Sequence, residues 1–133
     1  SYLAAGMLLF YPRVMKDEKL SFYPNGGQDG WVRGKYGLLE PRMYPGMEGL
    51  RRGFDLVVVQ GVAFDPMGRR LGRGHGYYDR FLADLSGSVV TVGLAFSWQL
   101  LPEVPVDAWD VPVDAVVTED RAIRVPRRHG HKK

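Results

Sequence analysis

The chain contains no cysteine. Disulfide bridges, thiolate metal centres and a cysteine nucleophile are thereby excluded, and the composition suits a reducing compartment, so a cytoplasmic location is expected. No apolar run approaches the ~20 residues that a bilayer-spanning helix needs, and no membrane partner is expected. The opening residues, Ser-Tyr-Leu-Ala-Ala-Gly-Met-Leu-Leu-Phe, carry no basic residue and do not read as a secretory leader. Histidine is scarce: His129 and His131 lie near the C-terminus without metal-spaced partners, and no His-Glu-x-x-His string occurs. Acidic residues are missing from 121–133, which holds Arg121, Arg124, Arg127, Arg128, Lys132 and Lys133. Without that segment, 12 basic residues face 15 acidic ones, so the body carries −3 although the whole chain carries +3. The basic end reads as a solvated tail, and nucleic acid is not an expected partner.

What is present is an ordinary globular composition, 45% hydrophobic and 25% charged over 133 residues. That is enough for one core, so a single monomeric domain over 1–120 followed by a basic tail over 121–133 is expected. Residues 5–14 predict a short buried strand stopped by Pro12, because proline cannot donate to a ladder. Lys19 to Tyr23 alternates like a half-exposed strand, and 25–53, rich in glycine, proline and aromatics, predicts a long irregular loop. Asp55 to Gln60 is the clearest strand, β-branched at its centre and expected to be buried on both faces. Tyr77, Tyr78, Phe81, Leu82 and Leu85 form one apolar stripe of a helix. Ser88 to Ala95 and Val113 to Thr118 predict further strands. The order strand, helix, strand, strand points to an α/β fold with a mainly parallel sheet.

Between the first strong strand and the helix stands Asp-Pro-Met-Gly-Arg-Arg-Leu-Gly-Arg-Gly-His-Gly-Tyr-Tyr-Asp-Arg, residues 65–80. Gly68, Gly72, Gly74 and Gly76 alternate there with Arg69, Arg70 and Arg73. Glycines let a ligand approach the backbone, and guanidinium groups offer forked donors suited to phosphate. A helix N-terminus adds N–H groups without helical partners. The string is neither a Walker A loop nor a dinucleotide fingerprint, since the spacing Gly72-x-Gly74-x-Gly76 fits neither. Asp65, before Pro66, reads as a turn former. For Phe96, Trp98 and Trp109, core packing is the expected role, and lining a pocket for a planar ring is the alternative. Of Tyr77 and Tyr78, one is expected to pack and the other to stack or donate its hydroxyl.

The whole string is more specific. Val59-Gln60-Gly61-Val62-Ala63-Phe64-Asp65, followed by Gly68-x-Arg70-Leu71-Gly72-Arg73-Gly74-x-Gly76-Tyr77-Tyr78-Asp79-Arg80-Phe81-Leu82, resembles the signature of the 5-formyltetrahydrofolate cyclo-ligase (5,10-methenyltetrahydrofolate synthetase) family. Downstream, Val92-Gly93-Leu94-Ala95-Phe96, Gln99, Leu101-Pro102, Trp109 to Asp114 and Val117-Thr118-Glu119 continue the resemblance. Pro12-Arg13-Val14 and Gly37-Leu38-Leu39-Glu40-Pro41 are weaker matches. Gln60 stands where the family usually has proline.

The resemblance implies a three-layer α/β/α, Rossmann-like fold of the NagB/RpiA type. It also implies the ATP- and Mg²⁺-dependent conversion of 5-formyltetrahydrofolate to 5,10-methenyltetrahydrofolate. ATP would phosphorylate the formyl oxygen, N10 would attack the activated carbon, and phosphate would leave. By motif position, Arg70, Leu71, Gly72, Arg73, Gly74, His75, Gly76, Tyr77 and Tyr78 would contact ATP. Arg73, Gly74, His75, Gly76 and Tyr77 would also meet the reduced folate, Arg70 and Arg73 would be catalytic, and Asp79 and Asp110 would hold Mg²⁺. The family's N-terminal helices have no counterpart before the first strand here. The alternative expectation is therefore a non-catalytic nucleotide- or folate-binding relative that lacks that half of the site.

Overall fold

Pro12 stands inside a strand instead of ending one. In the computed structural model, which describes residues 6–24, 30–34, 37–43, 48–74, 76–105 and 110–126, strand β1 (Tyr11–Val14) pairs antiparallel with β2 (Leu20–Tyr23). Pro12 lies opposite Phe22, whose N–H and C=O are both bonded to Leu50, at 2.8 and 2.9 Å. That cross-strand position asks nothing of Pro12's missing N–H, which is why proline is tolerated there. All four residues of β2 are buried, where alternation predicts a half-exposed strand. The stretch expected to be one irregular loop contains a second antiparallel pair, β3 (Trp31–Arg33) and β4 (Leu39–Pro41). Arg13 Nη1 donates to the Pro41 carbonyl at 2.8 Å, and buried Glu40 accepts from the Val14 N–H at 2.8 Å, tying the two pairs together. These elements belong to the first of two compact units, 1–53 and 54–133.

The second unit is built on a four-stranded sheet in the order Ala122–Arg124, Ala115–Val117, Val90–Leu94, Leu56–Val59. Strands β5 (Leu56–Val59), β8 (Val90–Leu94) and β9 (Ala115–Val117) run parallel, and β10 (Ala122–Arg124) is antiparallel to β9. This is the expected α/β pattern with a mainly parallel sheet, although helix is sparse. β10 draws Ala122–Arg124, within the basic segment, into the edge of the sheet. Between β5 and β8 come the antiparallel pair β6 (Ala63–Phe64) and β7 (Arg70–Leu71), then α1 (Tyr77–Ala83). Val59, Phe64, Val104, Val113 and Val116 are among the fully buried side chains of this unit. α1 contributes Phe81 and Leu82 to the core, with the Phe81 ring edge-on to Phe54 at 5.8 Å.

β5 departs from the expectation of burial on both faces. Val57 and Val59 are buried while Leu56 and Val58 are exposed, and β8 repeats the alternation with Thr91 and Gly93 against Val90 and Leu94. Successive side chains of a strand point to opposite faces, so one face of this pair carries the core and the other is open. Among the described residues, no helix is long and apolar enough to cross a membrane.

Candidate active site

The 65–80 string is a hairpin, an open loop and a short helix in succession. Asp65 organises the hairpin's turn. Wholly buried, it accepts from the Met67 N–H (3.0 Å), the Arg69 N–H (3.1 Å) and Arg69 Nε (2.6 Å), and from the Val104 N–H across 39 residues (2.9 Å). Burial alone would raise its pKa, but the hydrogen bonds from Val104 and Arg69 outweigh burial and hold it below the usual carboxylate value. The turn-forming role read from sequence is thus correct, and the reach to Val104 is additional.

Arg70 follows on β7 and is buried. Its Nε donates to the Gln60 carbonyl at 2.7 Å, and Nη1 meets Asp79 Oδ1 at 3.4 Å. The guanidinium lies over the Tyr78 ring, 5.3 Å from the centroid. Two glycines make room for it. A Cβ on Gly61 would stand 3.1 Å from Arg70 Cγ, and one on Gly72 would stand 3.0 Å from Nη1. Burial lowers the Arg70 pKa, while Asp79, Tyr78 and Asp110 counteract that shift. The departure at Gln60 is silent in this contact, because proline would supply the same carbonyl.

The acidic side of the site mirrors this. Burial raises the pKa of Asp79, Arg70 draws it back, and the charge of Asp110 raises it further. Burial likewise raises that of Tyr78, against the pull of Arg70. Asp79 and Asp110 are therefore within electrostatic reach of each other and of Arg70. Mg²⁺ takes one or two protein carboxylates and completes its shell with phosphate and water, so Asp79, with Asp110 in its electrostatic reach, offers oxygen donors of the right kind and number for that ion. Among the described residues, no group of three or more acids or histidines is gathered for a metal.

Leu71, Gly72, Gly76, Tyr77 and Tyr78 are half-buried, whereas Arg73 and Gly74 are exposed. A Cβ on Gly74, whose φ is +95°, would meet nothing within 4 Å, so the backbone there borders open space. His75 lies outside the described residues. Tyr77 lies under the Arg80 guanidinium at 5.4 Å, as Tyr78 lies under that of Arg70, so both tyrosines stack on arginines. With seven residues, α1 is too short for its dipole to dominate, leaving the arginines and the loop backbone as the anion-attracting features.

Phe96 and Trp98 correct the expectation of core packing. They are 59% and 74% exposed and stack on each other, with planes 7° apart. Each follows β8 in a turn where single residues do not reveal which face they take. Trp109 lies outside the described residues. Sequence reading also left Gln99 without a role, yet its side chain reaches the Gly61 carbonyl at 3.0 Å.

The sequence profile of the 5-formyltetrahydrofolate cyclo-ligase family matches residues 1–119. The 5-formyltetrahydrofolate cyclo-ligase of Mus musculus is 44% identical over 72 residues, covering 51% of this chain and 36% of that protein. The enzyme of the same name from Escherichia coli K12 is 43% identical over 68 residues, covering 50% and 37%. The solution structure of Aquifex aeolicus 5,10-methenyltetrahydrofolate synthetase superposes with a TM-score of 0.73 at 37% identity, over 91% of this chain and 60% of that one. The 5,10-methenyltetrahydrofolate synthetase of Mycoplasma pneumoniae gives 0.64 at 25% identity, over 86% and 58%. The matched region thus spans little more than a third of the length of those two sequence relatives.

Proposed function

The chain belongs to the 5-formyltetrahydrofolate cyclo-ligase family, and on that premise we propose that it converts 5-formyltetrahydrofolate to 5,10-methenyltetrahydrofolate with ATP and Mg²⁺. The observation that carries this reading is the buried Arg70 wedged between Gly61 and Gly72 and paired with Asp79. An arginine fixed in this way is a preorganised cation beside a loop whose backbone borders open space at Gly74.

In the proposed reaction, the formyl oxygen attacks the γ-phosphorus of ATP. The new O–P bond forms as the bond to the departing ADP breaks. N10 then attacks the activated formyl carbon, and after loss of its proton the phosphate leaves with the former formyl oxygen, closing the methenyl ring. The chain's own residues have positioning and electrostatic tasks. Arg70 is assigned to the transferring phosphate, with Tyr78 and the Gln60 carbonyl holding its guanidinium plane. Arg73, exposed on the loop, is assigned to the phosphate and the folate together. The backbone of Leu71, Gly72, Gly74 and Gly76 lines the same path, and Tyr77 borders the folate. His75 keeps its assignment by motif position alone. Asp79 and Asp110 would hold Mg²⁺, which when bound neutralises phosphate charge.

Calorimetric titration with ATP tests the assignment of the site. Binding that requires Mg²⁺ and weakens in Asp79→Asn and Asp110→Asn is expected. Binding that is equally tight without Mg²⁺ would contradict the metal assignment, and no binding would contradict the site itself.

A further inference from the structure

Gln99 ends a short turn, Ser97–Gln99, that follows β8. Its side-chain amide is used at both ends. Oε1 accepts from the Phe96 N–H at 2.8 Å, while Nε2 donates to the Gly61 carbonyl at 3.0 Å and the Val62 carbonyl at 3.3 Å. One acceptor and two donors are what a primary amide offers, and no other uncharged side chain of this length offers them.

The corner that Gln99 grips, residues 60–62 between β5 and β6, is also the surface against which Arg70 lies. The Gln60 carbonyl takes the Arg70 Nε–H at 2.7 Å, and the Val62 N–H bonds to the Leu71 carbonyl at 2.7 Å. Gly61 stands so close that a Cβ there would be 3.1 Å from Arg70 Cγ and 3.3 Å from its Nε. The corner is therefore held between Gln99 on one side and Arg70 with Leu71 on the other. Gly61 thus carries the carbonyl that Gln99 holds, and it adjoins Gln60, whose carbonyl holds Arg70 Nε.

We propose that Gln99 is a positioning residue that sets the guanidinium of Arg70 through the Gly61–Val62 corner, and so tunes phosphate binding without touching the ligand. The inference rests on the reading of Arg70 as a phosphate contact given above. Its distinguishing property is selectivity: loss of the amide disturbs the ATP end of the site, through Arg70, and leaves folate affinity in place. Bonds within one network act jointly, so the effect of Gln99 is conditional on Arg70.

The experiment is calorimetric binding of Mg-ATP and, separately, of 5-formyltetrahydrofolate to the wild-type chain, Gln99→Glu, Gln99→Met, Arg70→Ala and the double variant Gln99→Glu/Arg70→Ala. Folding of each is checked by circular dichroism. At neutral pH, Gln99→Glu sets a carboxylate against two carbonyl oxygens, and a rise in Kd for ATP of about tenfold is expected from the two lost hydrogen bonds. Folate affinity is expected to stay within about twofold, by the same reasoning. Lowering the pH toward 5 protonates part of the introduced carboxyl, which can then donate. ATP affinity should partly recover in Gln99→Glu but not in Gln99→Met, relative to wild type at the same pH. In the Arg70→Ala background, Gln99→Glu should change nothing further. Unchanged ATP affinity in both folded Gln99 variants overturns the proposal. So does equal weakening of ATP and folate, or an undiminished Gln99 effect without Arg70, since both describe a merely structural residue. Failure of the wild-type chain to bind ATP strikes first at the reading of the site and takes this inference with it.

Discussion

Arg70 and Asp79 meet at 3.4 Å across nine residues of chain, the arginine side chain 7% exposed and the aspartate 25%. One sits on β7, before the glycine loop, and the other in the first turn of α1, after it. The pair fastens the two ends of the loop together, so the residues between them are presented from a fixed frame. It also places a positive and a negative group side by side, and the proposed phosphate role of Arg70 and Mg²⁺ role of Asp79 both rest on that placement.

Removing the arginine leaves a partly buried carboxylate without its cation and opens the space kept by Gly61 and Gly72. Arg70→Ala is expected to lower stability by about 3 kcal/mol, in the range for breaking such a pair. Arg70→Lys preserves the charge but cannot donate from Nε to the Gln60 carbonyl and from Nη1 to Asp79 at once. It is expected to lose about 100-fold in kcat/KM while folding normally, in the range for one preorganised donor. Chemical denaturation and steady-state kinetics on the two variants separate these effects, and full activity of Arg70→Lys would refute the proposed phosphate role.

Gly72 and Gly74 are expected to respond differently to alanine. At Gly72 the new methyl group would press on Nη1 at 3.0 Å and Nη2 at 3.3 Å, displacing the guanidinium. At Gly74 it would meet no neighbour within 4 Å, and the penalty is that of holding alanine at φ +95°, about 1 kcal/mol. Gly74→Ala should therefore stay folded and lose ATP affinity only if ligand approaches the backbone there. Calorimetry with Mg-ATP reads this directly. Unaltered affinity in folded Gly74→Ala would remove that stretch of backbone from the binding path.

Asp65 supplies a pH dependence whose sign is set by its folded pKa, which lies below the ordinary carboxylate value of 3.8. A depressed carboxylate stabilises the fold fully above its unfolded pKa, and that contribution fades as pH falls from there through the folded value. Asp65→Asn replaces an acceptor facing N–H donors and removes the charge, which is expected to cost about 3 kcal/mol at neutral pH. The difference between wild type and variant in urea denaturation should narrow on acidification below pH 3.8. A difference that stays constant into that range would contradict the assignment.

Much of the second unit is legible in the residues themselves. The β-branched centres of β5 and β8 and the apolar stripe of α1 carry their own periodicity, and the glycine–arginine string marks the loop. The three-residue strands β3 and β4 are too short to show alternation, and Pro12 is misleading until Phe22 is seen to bond to Leu50 instead. Asp79 and Asp110 are linked in the sequence only by motif position, and folding is what brings Arg70 to Asp79 at 3.4 Å. Gln99 is the clearest omission. Its contact with Gly61 spans 38 residues, and no local pattern encodes a hydrogen bond between a side chain and so distant a backbone carbonyl.

In the proposed function, phosphoryl transfer from ATP is coupled to ring closure at the Arg70 loop. The direct test incubates the chain with 5-formyltetrahydrofolate and Mg-ATP and follows methenyl-folate absorbance and released inorganic phosphate in the same sample. One phosphate per methenylfolate formed, with neither product in the absence of ATP and both sharply slowed in Arg70→Ala, is the predicted result. Methenylfolate without phosphate release, or bound ATP with no methenylfolate at all, would contradict it.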